Sequence, residues 1–413
     1  MRPFAIGLAD HALGLARDGE VLARGAGVPM EPGSMPALRA TLARCLAEQP
    51  LKEGERIWIA SSAKADARGL SAVVDATRGI GLPVDGFVDA AAVTVASLAS
   101  ERNALVLELG LHHVAVTAVE RGAQARRRRA VVSTRGGFLE LQEAWLALVS
   151  TAMVKRTRFD PLHNAATEKQ LHELLPQWVS ELSGAASVTA SVTVGTERFD
   201  VELSRDQFAA AAQPVYREIL RLLHELRPAG AAMALVIPRS VAELPALRAA
   251  LQAFVGCELI TLEEGYAAAA TSLLDLPQAQ DDQSVRLLRR LPVNPQASLE
   301  KLAVRETLGG ERSTGPVPSH VLFEGRAHAL TGALVVGRDP GAASSITLPE
   351  GLAGVSRRHC TFVSEAGELL LLDHSRFGTF LNGERVSERA RAHAGDKVRI
   401  GDPGIELSLI TLG

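Results

Sequence analysis

The chain has 413 residues, too many for one ordinary domain, so two or three are expected. Hydrophobic residues make up 47% but aromatics only 4%, so the cores must be built from Ala, Leu and Val. The 44 basic and 47 acidic residues leave a net charge of -3, which gives no general electrostatic basis for nucleic-acid binding.

Cys45, Cys257 and Cys360 are far apart, odd in number and form no C-x-x-C pair. They read as buried free thiols in a reducing compartment, so a cytoplasmic location is expected. The N-terminus "MRPFAIGLADHALGLARDG" lacks the uninterrupted apolar run of a signal peptide. No segment reaches about 18 uncharged apolar residues, so neither a membrane span nor a membrane partner is expected.

In chain order, apolar runs at 4–8 and 14–16, a turn at Gly19 and "EVLA" after it predict a strand meander. Helical spacing follows over 36–45, then a strand over 56–62, a helix over 64–80 and an Ala-rich helix after the turn "VDGF". "ALVLELGLHHVAVTAVERG" (104–122) reads as two strands turning near Gly110. The grammar then repeats. A helix is predicted over 138–154, a strand pair in "SVTASVTVGTERFDVELS", and a long helix over 205–226 with Ser204 as N-cap. A buried-type strand over 232–238, a helix over 241–253, the strand "CELIT" and the helix "LEEGYAAAATSLL" complete it. Such alternation implies helices on the faces of mixed or parallel sheets, an α/β class. The run "ARRRRAVV" (125–132) is expected on a hairpin edge, where charge discourages strand pairing.

Residues 276–318 change character: "GGERSTGPVPSH" and its surroundings are polar and rich in Gly and Pro, a linker with ordered pieces between. Beyond it only short strands are predicted, at 320–324, 326–331, 333–337, 360–364, 368–372, 397–400 and 405–411. Turns at Gly325, Gly367, Asn382-Gly383 and Gly404 separate them, the pattern of a small all-β sandwich.

Four spaced pieces carry a resemblance here: "VVGRDP" (335–340), "VSRRHC" (355–360), "LLLDHSRFGTFLNGERV" (370–386) and "AGDKVRIG" (394–401). In this order they resemble the forkhead-associated (FHA) domain, assigned to residues 319–413. The resemblance implies a two-sheet sandwich whose loops at one end recognise a phosphothreonine peptide. It implies that Arg338 contacts the phosphate, that Ser356 gives it a hydroxyl, and that Arg357 sits beside the peptide. Gly337, His359, Gly378, Thr379, Asn382 and Gly383 would hold the loops. Convergent charge-assisted donors on rigid loops are what a phosphate dianion needs. One departure stands out. Where the family carries Asn before the Gly of the "GTF" segment, this chain has Phe377, preceded by Arg376. The amide that would bond the peptide backbone is missing, and Arg376 offers charge in its place.

Residues 1–275 resemble the nucleotide-binding domain of Hsp70 chaperones, within the actin-like, ribonuclease H-like group. "AIGLADHALGLARDG" resembles the first phosphate hairpin, "ALVLELGLHHVAVTAVE" the second, and "FDVELSRDQFAAAAQPVYREILRLL" the helix before the adenosine loop. The resemblance implies a two-lobed fold with an ATP and Mg²⁺ site, for which the candidates are Asp10, Asp89, Glu108 and Gly110. The motifs are degenerate. Asp-x-Gly-Thr is replaced at Ala9, His11 and Ala12, with Asp10 one position away. The second glycine run reads Gly110-Leu111-His112-His113, and the adenosine loop reads Ile237-Pro238-Arg239-Ser240. Lost glycines remove the close backbone approach that cradles phosphate, and Pro238 has no N–H to offer. The histidines at 112 and 113 would point to opposite faces of a strand, against shared ligation, and no metal site is expected.

Function is therefore expected to be that of an interaction or scaffold protein that binds a phosphothreonine-bearing protein, with other protein contacts through the first domain. No catalytic residues, cofactor or nucleic-acid partner are expected. The alternatives are a divergent Hsp70-like ATPase or nucleotide-dependent switch, and phosphate-independent contacts through Phe377.

Overall fold

The computed structural model describes residues 2–9, 12–228, 231–277, 285–308, 317–349, 354–365, 367–382, 384–386, 388–401 and 404–412. The chain forms two compact units. One comprises 1–223, 234–251 and 259–306; the other comprises 224–233, 252–258 and 307–413.

The first unit opens with the predicted meander, β1 (Phe4–Leu8), β2 (Ala12–Arg17) and β3 (Glu20–Ala26). Asp18 and Gly19 make its second turn at positive φ, 49° and 82°, the twist that suits a tight hairpin. There follow α1 (Met35–Glu48), β4 (Ile57–Ser61), α2 (Ala67–Arg78), β5 (Val84–Asp89) and α3 (Ala90–Ser97). Every residue of β4 is buried, as expected of a strand covered on both faces.

The second half repeats the order: β6 (Ala104–Leu109), β7 (Val114–Arg121), β8 (Gln124–Ser133), α4 (Phe138–Thr157) and α5 (Ala165–Gly184). The hairpin β9 (Ser187–Val194) and β10 (Glu197–Ser204) leads into α6 (Arg205–Leu226). Ser204 caps α6 as expected. Its hydroxyl accepts the Gln207 N–H at 3.2 Å, and the Gln207 side chain accepts the Ser204 N–H at 2.8 Å, a reciprocal capping box. The helix α5 has no counterpart in the sequence reading.

Next come β11 (Ala234–Pro238), α7 (Arg239–Ala242), α8 (Leu247–Leu251), β12 (Glu258–Leu262) and α9 (Tyr266–Ser272). The single helix expected over 241–253 is two short pieces. Pro245 disfavours helical backbone at the residue before it, and Ala246 turns at φ 60°. The last helix begins later than its apolar pattern suggests, because Gly265 sits at φ 89° just before it. A side chain at Gly14 would come 3.0 Å from the Gly265 Cα, so bare backbone lets α9 lie close on β2. The buried Ala-rich helices α3 and α9 share one core cluster with Trp58 and Tyr266, which is how a chain so poor in aromatics fills its interior.

Residues 276–318, read as a linker with ordered pieces, contribute β13 (Arg286–Leu288), β14 (Arg290–Pro292) and β15 (Ala303–Thr307) to the first unit's sheets. The division between the units falls after Glu306, inside this stretch. One sheet runs β13-β5-β4-β1-β2-β3 and the other β14-β8-β7-β6-β11-β12-β15. In each, the five strands counted along their own half lie in the order 3-2-1-4-5. The first three are antiparallel, and the fourth is parallel to the first. The unit is a duplicated α/β domain. β8, expected at an edge, is covered: Gln124, Ala125 and Arg126 pair with β14.

The second unit contains the sandwich. The strands are β16 (His320–Phe323), β17 (Arg326–Ala329), β18 (Ala333–Gly337), β19 (Ser345–Thr347), β20 (Cys360–Glu365) and β21 (Glu368–Asp373). β22 (Thr379–Leu381), β23 (Glu384–Arg385), β24 (Arg389–Ala392), β25 (Lys397–Ile400) and β26 (Ile405–Ile410) follow. They form a six-stranded sheet, β17-β16-β26-β25-β22-β23, and a five-stranded sheet, β19-β18-β20-β21-β24. Alternate residues of both face a common core that includes Val321, Leu334, Val336, Phe362, Leu371, Val398 and Leu407. The expected turns hold Gly325, Gly367, Asn382 and Gly404 at φ 75°, 80°, 51° and 89°. Strands β19 and β22 to β24 are too short, and too mixed in pattern, to show in the sequence.

Candidate functional site

Two places merit description: the loop cluster at one end of the sandwich, and the cleft of the first unit.

Three strand-end loops of the sandwich are joined by backbone. The Arg338 N–H donates to the Ser356 carbonyl at 3.1 Å, and the Asp339 N–H donates to the Arg357 carbonyl at 3.0 Å. The third loop joins through the Arg376 N–H, which reaches the Ser356 hydroxyl at a long 3.4 Å. A side chain on Gly337 would overlap the Arg357 carbonyl, so the first two loops can approach only over glycine.

His359 is fully buried beneath them. Its Nδ1 accepts the Ser356 N–H at 3.1 Å, which leaves Nε2 as the protonated nitrogen, and that group donates to the Gly378 carbonyl at 3.1 Å. Burial pushes its pKa below the ordinary 6.5, against a smaller opposing effect of the Gly378 carbonyl. In the third loop, Asp373 Oδ1 accepts the Ser375 N–H at 3.0 Å and the Thr379 hydroxyl at 2.7 Å. The Gly378 N–H donates to the Ser375 hydroxyl at 2.7 Å, with Gly378 itself at φ 102°.

The candidates read from the sequence therefore fall into two groups. Arg338, Arg357 and Arg376 are exposed, and Ser356 is half-buried between them. Gly337, His359, Gly378 and Thr379 are buried and hold the loops. Asn382 belongs to a different contact: its side chain accepts the Lys397 N–H and donates to Asp396, both at 2.8 Å, tying the β22 turn to β25. Gly383 lies outside the described residues. Sequence reasoning missed Asp373 and Ser375, whose signal was the turn spacing Asp-x-Ser-x-x-Gly-Thr. It also missed Arg358, exposed beside Arg357.

The FHA-domain family model matches residues 334–401, and this segment is an FHA domain. A search of curated proteins gives no match to the chain.

In the first unit, a cavity of about 140 Å³ is lined by Leu8, Ala9, Ala12, Glu108, Ile237 and Pro238, among others. Of the four nucleotide-site candidates, Glu108 lines it, Asp89 and Gly110 do not, and Asp10 lies outside the described residues. Glu108 accepts the Ala63 N–H, at 3.1 Å to its nearer oxygen. Desolvation pushes its carboxyl up to about 7, with the nearby Asp89 adding to the effect and the Ala63 N–H opposing it.

Asp89 is already committed. One oxygen caps α3 by accepting the Ala92 N–H at 3.0 Å, and the other pairs with Arg127 at 2.9 Å. Arg127 also donates to the Ala63 carbonyl at 3.2 Å. It comes from the arginine run that the sequence placed on an exposed edge. Arg126 and Arg128 pair with Glu120. Gly110 is enclosed in its own turn: its N–H donates to the His113 carbonyl at 2.8 Å and its carbonyl accepts the Phe138 N–H at 2.9 Å. The His113 ring fills the space where a side chain would lie. Among the described residues no group of three or more His, Cys, Asp or Glu side chains is placed to hold a metal ion.

Three measurements follow from this geometry. Gly337→Ala must separate two backbones, and is expected to cost several kcal/mol, at the upper end of about 0.5–3 kcal/mol for ordinary substitutions or beyond it. The unfolding midpoint of the sandwich would read this, and an unchanged midpoint would refute the close approach. His359 has a depressed folded pKa. The stability it contributes is therefore complete above its free value of 6.5 and is lost as pH falls through the folded value. Protection of the Ser356 amide against hydrogen exchange should weaken as pH falls below the free value of 6.5 in the wild type. It should lose that pH dependence in His359→Asn. Glu108 has the opposite sign. Its pKa is raised from 4.5 to about 7, so stability is greatest below the free value and falls as pH rises through about 7. Relative to Glu108→Gln, the wild type should lose on the order of 2–3 kcal/mol between about pH 4 and pH 8 in denaturant titrations of the first unit.

Proposed function

We propose that this protein reads phosphothreonine on a partner protein through its FHA domain, and that its duplicated α/β unit serves as a scaffold of the actin/Hsp70 type. The observation that carries this reading is the stapled loop cluster, which presents exposed Arg338 and Arg357 around the Ser356 hydroxyl over a fully buried His359. A phosphate dianion entering there meets two guanidinium forks and a hydroxyl on loops that are already ordered, so little conformational entropy remains to be lost.

The repeated 3-2-1-4-5 order supports the actin/Hsp70-type assignment of the first unit. Among the described residues, the candidate set does not fit a Mg²⁺-nucleotide. Asp89 is held by Arg127, Gly110 by its own turn, and the cavity presents Leu8, Ile237 and Pro238 where polyphosphate would need donors. This supports a scaffold role, with protein contacts of its own. Three buried free cysteines are consistent with a cytoplasmic location.

The test is binding of the full-length chain to phosphothreonine peptides and to partners captured from the native host. Arg338→Ala is expected to weaken binding by about 2–5 kcal/mol if its charge pair with phosphate is desolvated, and Ser356→Ala by about 1–3 kcal/mol. Phosphatase treatment should abolish it. Binding that survives both variants and the phosphatase would show that the loops do not read phosphate.

A further inference from the structure

Four exposed arginines, Arg338, Arg357, Arg358 and Arg376, lie in the loops that meet at Ser356. Among the described residues, none of their guanidinium groups has a carboxylate partner. Arg391, at another edge of the sandwich, does find an acid, Glu368 at 3.0 Å. The Arg376 guanidinium lies over the Phe377 ring, 5.9 Å from its centroid. Phe377 is 62% exposed, more than any other large apolar side chain described. Its position is the one where a side-chain amide would otherwise read the peptide backbone.

These features have a common consequence. A single phosphate offers three terminal oxygens and is saturated by two guanidinium forks with the Ser356 hydroxyl. The remaining guanidiniums have no carboxylate partner among the described residues. Without the amide, backbone reading is weak and side-chain reading must supply the selectivity. The complementary ligand carries more negative charge than its phosphate and an apolar group to cover the ring.

We propose that the partner segment is acidic and apolar around its phosphothreonine: carboxylates beside the phosphate meet Arg358 and Arg376, and an apolar side chain packs on Phe377. This rests on the phosphothreonine reading above. The selectivity is carried by charge and by one aromatic face, so it is sensitive to salt and tolerant of peptide backbone detail.

The experiment uses the full-length chain and peptide libraries in which phosphothreonine is fixed and the flanking positions are degenerate, followed by anisotropy on single peptides. Enrichment of Asp and Glu next to the phosphothreonine, with one adjoining Leu, Ile or Phe position, is expected. Acidic flanks should bind about tenfold tighter than Ser/Gly flanks, since each exposed pair contributes about two- to fivefold, and the advantage should shrink at high salt. Arg376→Glu should reverse the charge preference, and Phe377→Ala should erase only the apolar one. Both side chains are exposed and make no hydrogen bond among the described residues, so an unchanged melting curve serves as the folding control. Equal affinity for neutral and acidic flanks, or an unaltered preference in Arg376→Glu, would overturn this inference and leave phosphothreonine reading intact. Equal binding of the acidic peptides with and without phosphate, or no binding from any library, would overturn both.

Discussion

The loop cluster depends on a neutral imidazole. His359 accepts one backbone N–H and donates to one backbone carbonyl, and those two groups belong to different loops. Ser356 and Gly378 are thereby fixed to a common post within the core. Only histidine combines an acceptor and a donor on opposite edges of a small rigid ring, and only while it remains neutral. Everything exposed above it is positioned by this pair of bonds together with the bare backbone of Gly337. The arginines can therefore be long and unpaired without the loops being loose.

The first unit sets a repeated sheet architecture beside loop ends that are organised differently. Topology rests on buried strands such as β4 and on close helix packing over Gly14 and Gly265, and those positions retain apolar or small residues. The loop ends are under no such demand. There Asp89 is an N-cap and the partner of Arg127, and the His113 ring occupies the free side of Gly110. Glu108 is left facing an apolar cavity, where desolvation favours its neutral form. A carboxyl in that state costs stability as pH rises through neutrality.

Charge is distributed differently at the two places. In the first unit the arginine run is spent internally, on Glu120 and Asp89. Around Ser356 the arginines have no such partners among the described residues. A near-neutral chain can thus hold a locally cationic surface, and that contrast is what directs attention to a negatively charged ligand.

Much of this was determined by the sequence alone. Period-two alternation and turn glycines marked the sandwich strands, and Ser204 marked the start of α6, because such signals are local. The spaced Gly-Arg, Ser-Arg-Arg-His and Gly-Thr pieces marked the FHA loops for the same reason. What was not legible required partners distant in the chain. Strands of three residues such as β13 and β14 exist only because a sheet edge is there to receive them, and α5 was obscured by its own polar, Pro-containing sequence. The fate of Arg127 depended on Asp89, 38 residues away, and the carboxyl of Glu108 on what surrounds it in space. Local residue pattern decides which elements form. Which charges are paired, buried or left for a ligand is decided only when those elements pack, since Coulomb energy and desolvation depend on distances that sequence separation does not encode.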